Sequence, residues 1–154
     1  MAASLSPVLH PFPVMDCFII LGLIALNGVF AMSELAIVSA RRPRLDAMAR
    51  KGSKGAARAM ALGADPGRFL STVQIGITLI GIIAGAYSGA SLGGPAGERL
   101  AALVMREDWA ASLGFAIVIG LTTFVSLVIG ELVPKQFALR APEPIAAVMA
   151  LPMQ

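Results

Sequence analysis

The sequence predicts an all-α integral membrane protein with three transmembrane helices. Apolar residues make up 57% of the 154 residues, and the mean hydropathy is +0.82. Only 14% of the residues are charged, whereas an average soluble domain is about 25% charged. A soluble fold of this length needs more polar residues for its surface. The composition therefore excludes an ordinary soluble enzyme, a disordered chain and a disulfide scaffold.

Residues 1–15 are predicted to form an extracytoplasmic tail, and residues 16–154 a transmembrane domain. The tail has no lysine or arginine, so it lacks the basic start of a signal peptide. We expect His10 to be an exposed residue of this tail rather than a ligand.

Three apolar stretches predict helices at about residues 18–38, 69–90 and 110–133. Each has the roughly 20 residues that a helix needs to cross the hydrocarbon core, where lipid offers the backbone no hydrogen-bond partners. A shorter apolar segment at 145–153, punctuated by prolines, predicts a C-terminal interfacial helix. Because no polar tail follows it, we expect the chain to be part of a longer protein.

The distribution of charge predicts the orientation. Most basic residues lie in the segment 41–68, namely Arg41, Arg42, Arg44, Arg50, Lys51, Lys54, Arg58 and Arg68. The positive-inside rule places this segment in the cytoplasm, with the N-terminus outside and the C-terminus inside. Tyr87 and Trp109 then fall at the outer ends of their helices, where amphipathic rings settle. The expected location is the cell's inner (plasma) membrane, crossed several times.

The basic segment 41–68 is itself predicted to be helical, as a juxtamembrane belt. Leu45, Met48, Met60 and Leu62 are placed to form an apolar stripe along it. Such a belt lies on the anionic inner leaflet, so membrane lipid is its expected partner. Nucleic acid is not an expected partner, because the topology already accounts for the basic charge.

Polar groups inside the first apolar stretch are candidates for function, because they are costly in a bilayer. Asn27 and Glu34 are two helical turns apart and share a face, and Ser33 lies beside them. The alternative is that these side chains only form hydrogen bonds between helices.

The second stretch contains Thr78, whose hydroxyl could act as a ligand or as an interhelical hydrogen-bonding group. It is followed by Gly81, Gly85 and Gly89, and their four-residue spacing predicts close helix packing.

The third stretch ends in Gly130 and Glu131, followed by Pro134 and Lys135. Proline has no N–H and clashes with the carbonyl four residues earlier, so Pro134 frees the Gly130 carbonyl and marks a candidate hinge. A free carbonyl beside the Glu131 carboxylate suits a hard cation such as Mg²⁺. Alternatively, Glu131 forms an ion pair with Lys135, four residues later. Without a His/Cys cluster or a phosphate-binding loop, the sequence favours a transporter over an enzyme.

Three segments resemble the membrane domain of the CorC/cyclin-M family over about residues 16–150. LNGVFAMSELAIVSARRPRL is similar to the first transmembrane helix of the family and FLSTVQIGITLIGIIAG to the second, while IGELVPKQFALRAPEPIA is similar to the end of the third. Three motifs in the same order make the resemblance specific.

The resemblance implies a homodimer that exports Mg²⁺, driven by Na⁺ entry, with a dehydrated cation between the three helices. It places Ser33 and Glu131 on the transported Mg²⁺, with Asn27 and Glu34 in support. Gly130 and Thr78 complete the candidate ligands. Family members continue into CBS domains and a small C-terminal domain in the cytoplasm, which we expect to lie outside this chain. ATP is therefore an expected partner only through those CBS domains.

One departure from the family leaves the cargo open. Ile77 and Gly81 stand where Mg²⁺-exporting relatives often carry asparagines. Other branches of the family are linked to polyamine export. The alternatives are therefore a polyamine or other organic-cation exporter, and a dimeric membrane anchor that positions regulatory domains without transporting.

Overall fold

The computed structural model describes residues 13–104 and 107–152, and within these ranges it is helical without strands. The elements are α1 (Val14–Ser39), α2 (Arg42–Arg50), α3 (Lys54–Leu62), α4 (Pro66–Val104), α5 (Glu107–Leu127), a π-helical turn (Val128–Leu132), α6 (Val133–Arg140) and α7 (Pro142–Met149). His10 and most of the predicted tail lie outside the described residues.

Three described helical segments are long and apolar enough to cross a membrane: Val14–Ser39, Pro66–Leu103 and Trp109–Arg140. The predicted all-α class is confirmed for the described residues, with three helices that are candidates for spanning a membrane. The first span starts four residues earlier than its prediction, at Val14 rather than at residue 18. The predicted orientation of the termini stays a prediction.

Helix α4 is much longer than its predicted range of 69–90. It has 39 residues, which at 1.5 Å per residue is about 58 Å, nearly twice the thickness of the hydrocarbon core. The apolar run ends near residue 90, but the helix continues past Pro95. The prediction was too short because α4 is held there by packing against α5, which an apolar run does not report.

Glycines make the contact between α4 and α5. A Cβ at Gly89 or Gly93 would lie 2.9 Å from the Phe115 ring, and one at Gly97 would lie 2.9 Å from the Ala111 Cα. On the other helix, a Cβ at Gly114 would collide with the Gly97 backbone. The two backbones therefore approach as closely as they do only because side chains are missing at the crossing.

The third span does not stop before Pro134, as the predicted end at residue 133 assumed. A π turn accommodates Pro134, which has no backbone N–H. In this turn the Val133 N–H donates to the carbonyl of Val128, five residues earlier. The helix then resumes as α6, with Pro134 in its first turn, and runs to Arg140. A helix can continue through a proline where a π turn relieves the clash.

The basic segment forms two short helices, α2 and α3. Leu45 is buried, and the other residues of the predicted stripe, Met48, Met60 and Leu62, pack against the same core. Helix α7 covers α3 so closely that a Cβ at Gly55 would collide with the Ala147 carbonyl. The predicted C-terminal helix is therefore present, starting at Pro142 rather than at residue 145.

We expect Gly114→Ala to lower the stability of the purified chain by about 1–3 kcal/mol, because the methyl group overpacks the helix crossing. Gly120→Ala in the same helix is the matched control, since its Cβ meets nothing within 4 Å, and alanine favours a helix over glycine. Unfolding in detergent micelles measures both. Equal shifts for the two variants would contradict the close α4–α5 crossing.

Candidate cation site

A cavity of about 210 Å³ lies between the three spanning helices. It is lined from α1, from α4, from α5 and from the π turn, by Asn27, Ile77, Gly81, Ala84, Gly85, Thr122, Thr123, Ser126, Leu127 and Glu131. Its polar lining is an amide, three hydroxyls and one carboxylate. A cavity with this lining has room and partners for several waters or for one small hydrated or organic cation.

Asn27 connects the first span to the π turn. Its Nδ2 donates to the Gly130 carbonyl at 3.1 Å, and its side chain is buried. Gly130 is the residue whose carbonyl Pro134 was predicted to free, so the amide takes the place of a missing backbone donor. The Asn27 Oδ1 is also buried and has no hydrogen-bond partner among the described residues.

Two glycines allow this contact. A Cβ at Gly130 would lie 3.1 Å from the Ile24 carbonyl oxygen, and one at Gly28 would lie 3.1 Å from the Pro134 ring. Because neither glycine carries a side chain, the α1 backbone reaches the π turn directly. Asn27, one residue before Gly28, is then within reach of the Gly130 carbonyl.

Glu131 follows Gly130 and faces the cavity, but it also has a cationic neighbour. The Lys135 Nζ lies 2.7 Å from Glu131 Oε1 and 3.8 Å from Glu34 Oε2. The ion pair with Lys135 that the spacing predicted is therefore present, and Glu131 also lines the cavity; its role as a cation ligand stays a prediction. Glu34 contributes to the ion pair from α1 and is not a lining residue of the cavity.

The other predicted ligands lie elsewhere. The fully buried Ser33 donates its hydroxyl to the carbonyl of Phe30 at 2.7 Å, within its own helix. Thr78 is exposed and is not a lining residue of the cavity. Of the predicted ligands, Asn27 and Glu131 line the cavity. Gly130 accepts the Asn27 amide, and Glu34 pairs with Lys135.

The predicted packing glycines divide into two groups. Gly89 lies against α5, whereas Gly81 and Gly85 line the cavity, and a Cβ at either would meet nothing within 4 Å. In this chain, the first two glycines leave space beside α4 instead of bringing a helix close.

Three hydroxyl residues of the cavity, Thr122, Thr123 and Ser126, were not among the predicted site residues. A signal was available, because Thr123 is eight residues before Glu131 and so lies near the same helix face. The charged end of the span is the stronger signal in the sequence, and its hydroxyls are the weaker one.

The sequence also contains a G-x-S-x-G string at residues 89–93. In hydrolases this string marks a sharp turn from a strand into a helix. Here it lies inside α4, and the Ser91 hydroxyl donates to the carbonyl of Tyr87. It therefore does not form a nucleophile elbow.

The charge of the site is modest. The described residues contain no group of three or more His, Cys, Asp or Glu side chains placed to hold a metal ion, and Glu131 is the carboxylate on the cavity wall. An oxygen-lined cavity with one carboxylate can bind a cation that keeps part of its hydration shell, or an ammonium group that needs three acceptors.

Fold and site together define a membrane protein with a polar, acidic cavity between three spanning helices. Residues 18–154 match the family model of the cyclin M transmembrane N-terminal domain, and the chain belongs to this family.

The chain is similar to curated relatives from several bacteria. It is 46% identical over 136 residues to UPF0053 protein sll0260 of Synechocystis and 38% identical over 145 residues to UPF0053 protein YhdT of Bacillus subtilis. It is 31% identical over 137 residues to a polyamine export protein of Salmonella typhimurium. These matches cover 88%, 90% and 89% of the chain, and the chain spans 30% of each relative.

We expect Asn27→Leu to destabilise the chain by about 1–2 kcal/mol, because it leaves the Gly130 carbonyl without its side-chain donor in a buried site. Ser33→Ala in the same helix removes a hydrogen bond that stays within one turn, and it should cost less. Unfolding in detergent compares the two. If Asn27→Leu is as stable as the wild type, the amide does not hold α1 to the π turn.

Proposed function

We propose that this chain is the membrane domain of a cation exporter, and that its cargo is a small organic ammonium of the polyamine class. The observation that carries the proposal is the Glu131 carboxylate on the wall of a cavity between three spanning helices. A carboxylate within a span is costly unless a cation pairs with it. Lys135 supplies that cation at 2.7 Å, and because the carboxylate also lines the cavity, a positively charged cargo can bind to it there.

The charge and chemistry of the cavity favour an ammonium over a dehydrated Mg²⁺. Mg²⁺ demands near-octahedral oxygen ligands, usually with carboxylates, and the cavity offers one carboxylate. The Glu131 carboxylate already binds a primary ammonium, that of Lys135, at 2.7 Å. The apolar wall of Ile77, Ala84 and Leu127 suits a methylene chain.

The relatives add support of a different kind. Proteins named polyamine export protein, from Salmonella typhimurium and Escherichia coli, are 31% identical to this chain over at least 88% of its length. The apolar Ile77 and the bare Gly81 on the cavity wall also fit a cargo that does not need amide ligands from α4.

Mg²⁺ export with Na⁺ as the counter-ion is the second candidate function. The buried Asn27 Oδ1, which has no hydrogen-bond partner among the described residues, favours it. Together with the hydroxyls of Thr122, Thr123 and Ser126, this oxygen would serve a partly hydrated metal ion. A change of conformation that frees the Gly130 carbonyl would add another hard ligand.

Glu131→Gln should weaken putrescine binding by about tenfold to a hundredfold, because it removes a charge-assisted hydrogen bond. It should also abolish uptake of labelled putrescine into inside-out proteoliposomes. Asp46→Asn is the matched control, because it removes a carboxylate from α2 whose partner is Arg50, outside the cavity.

Titration with Mg²⁺ in the same assays separates the candidates. The cargo is the metal ion if Mg²⁺ binds to the wild-type chain, if Glu131→Gln abolishes this binding, and if putrescine neither binds nor competes with Mg²⁺. If neither cation binds the wild-type chain, cation transport by this domain is wrong and a non-transporting anchor is favoured.

A further inference from the structure

Lys135 lies between two carboxylates that belong to different helices. Its Nζ is 2.7 Å from Glu131 Oε1 on the π turn and 3.8 Å from Glu34 Oε2 on α1. The Glu34 Oε2 is buried and accepts no hydrogen bond from the described residues. The Lys135 ammonium is therefore the neighbour of two carboxylates. It is within hydrogen-bond distance of Glu131 and beyond hydrogen-bond distance of Glu34.

This arrangement has more negative than positive charge. Within the described residues, Lys135 is the cation that forms ion pairs with Glu131 and Glu34. Charged groups inside a membrane protein are stabilised by complete pairing. The cluster is therefore one cation short, and a second positive group would complete it.

Glu131 is shared between this cluster and the cavity. A cation that enters the cavity and binds the Glu131 carboxylate competes there with the Lys135 ammonium, which is bound to the same carboxylate. Glu34 offers Lys135 a second partner within a short movement of a flexible side chain. Displacement from Glu131 therefore need not leave the ammonium unpaired.

We propose that Lys135 is a tethered competitor of the cargo: it occupies Glu131 while the cavity is empty and moves to Glu34 when a cation binds. The inference rests on the proposed function, because it assumes that a cation enters the cavity. It adds a specific role for Lys135, which acts as the resident cation of the site.

A tethered competitor has two consequences for transport. Because it is covalently attached, its effective concentration at Glu131 is high, and it lowers the apparent affinity for cargo. When the cargo leaves, Lys135 pairs with Glu131 again, so release of the cargo does not leave the Glu131 carboxylate without a positive partner.

Calorimetry on the purified chain tests the competition. Lys135→Gln should bind putrescine about fivefold tighter or more, whereas Lys135→Arg keeps a competing positive charge and should not tighten binding. Arg140→Gln is the matched control for the loss of a positive charge, since Arg140 lies on the same helix at an exposed position. Unchanged or weaker binding by Lys135→Gln, or equal tightening by Arg140→Gln, overturns the proposal.

Displacement is observed directly by NMR of ¹³C-methylated lysines, a modification that preserves the charge. The lysines are Lys51, Lys54 and Lys135, so the Lys51→Arg and Lys54→Arg variants assign the spectrum. Saturating putrescine should move the Lys135 signal and leave the other two in place. In Glu131→Gln the Lys135 signal should start away from its wild-type position and not respond.

The outcomes distinguish this inference from the proposed function. Putrescine that binds by calorimetry without moving the Lys135 signal overturns the competition and leaves cation binding intact. A Lys135 signal that Glu131→Gln does not change overturns the resting ion pair. Absence of binding by putrescine and by Mg²⁺ in the wild type and in Lys135→Gln overturns the proposed function, and the competition with it.

Discussion

The hydrogen bond from Asn27 to the Gly130 carbonyl is the contact on which the site depends. Pro134 removes the donor that a regular α-helix would supply, and the π turn moves the chain so that a side chain from α1 reaches the carbonyl. Gly28 and Gly130 allow the two backbones to approach. Glu131 follows Gly130 in the chain, so fixing this carbonyl also fixes where the carboxylate meets the cavity.

The freed carbonyl of Gly130 could be predicted from sequence, because proline has the same local effect in any helix. Its partner could not be predicted. Helical periodicity shows that Asn27 and Glu34 share a face, but it does not show which neighbouring helix that face meets, or at which level. The structure gives Asn27 to the carbonyl and Glu34 to Lys135, and so divides a pair that the sequence pattern grouped together.

The glycines of α4 show a similar limit. Their four-residue spacing predicts a stripe of small residues, and the stripe continues through Gly93 and Gly97 beyond the part first recognised. Its C-terminal half, from Gly89 to Gly97, packs against α5, while Gly81 and Gly85 line the cavity. The same residue type packs helices where a partner helix is close and leaves space where the helices diverge. Which of the two occurs depends on how near α5 passes to each glycine, and this is a tertiary property.

Helix α7 also connects the candidate cation site to the two basic helices, α2 and α3. Lys135 and Glu143 lie on the consecutive helices α6 and α7, and the buried Glu143 accepts the Arg41 backbone N–H at 3.3 Å and lies 3.8 Å from Arg44. Helix α7 packs on α3 at Gly55. The end of the third spanning segment is therefore connected to the basic helices through α7. Because a charge buried at Glu143 is costly to unpair, α7 is expected to stay with α2, and the chain that leaves α6 is held against the basic helices.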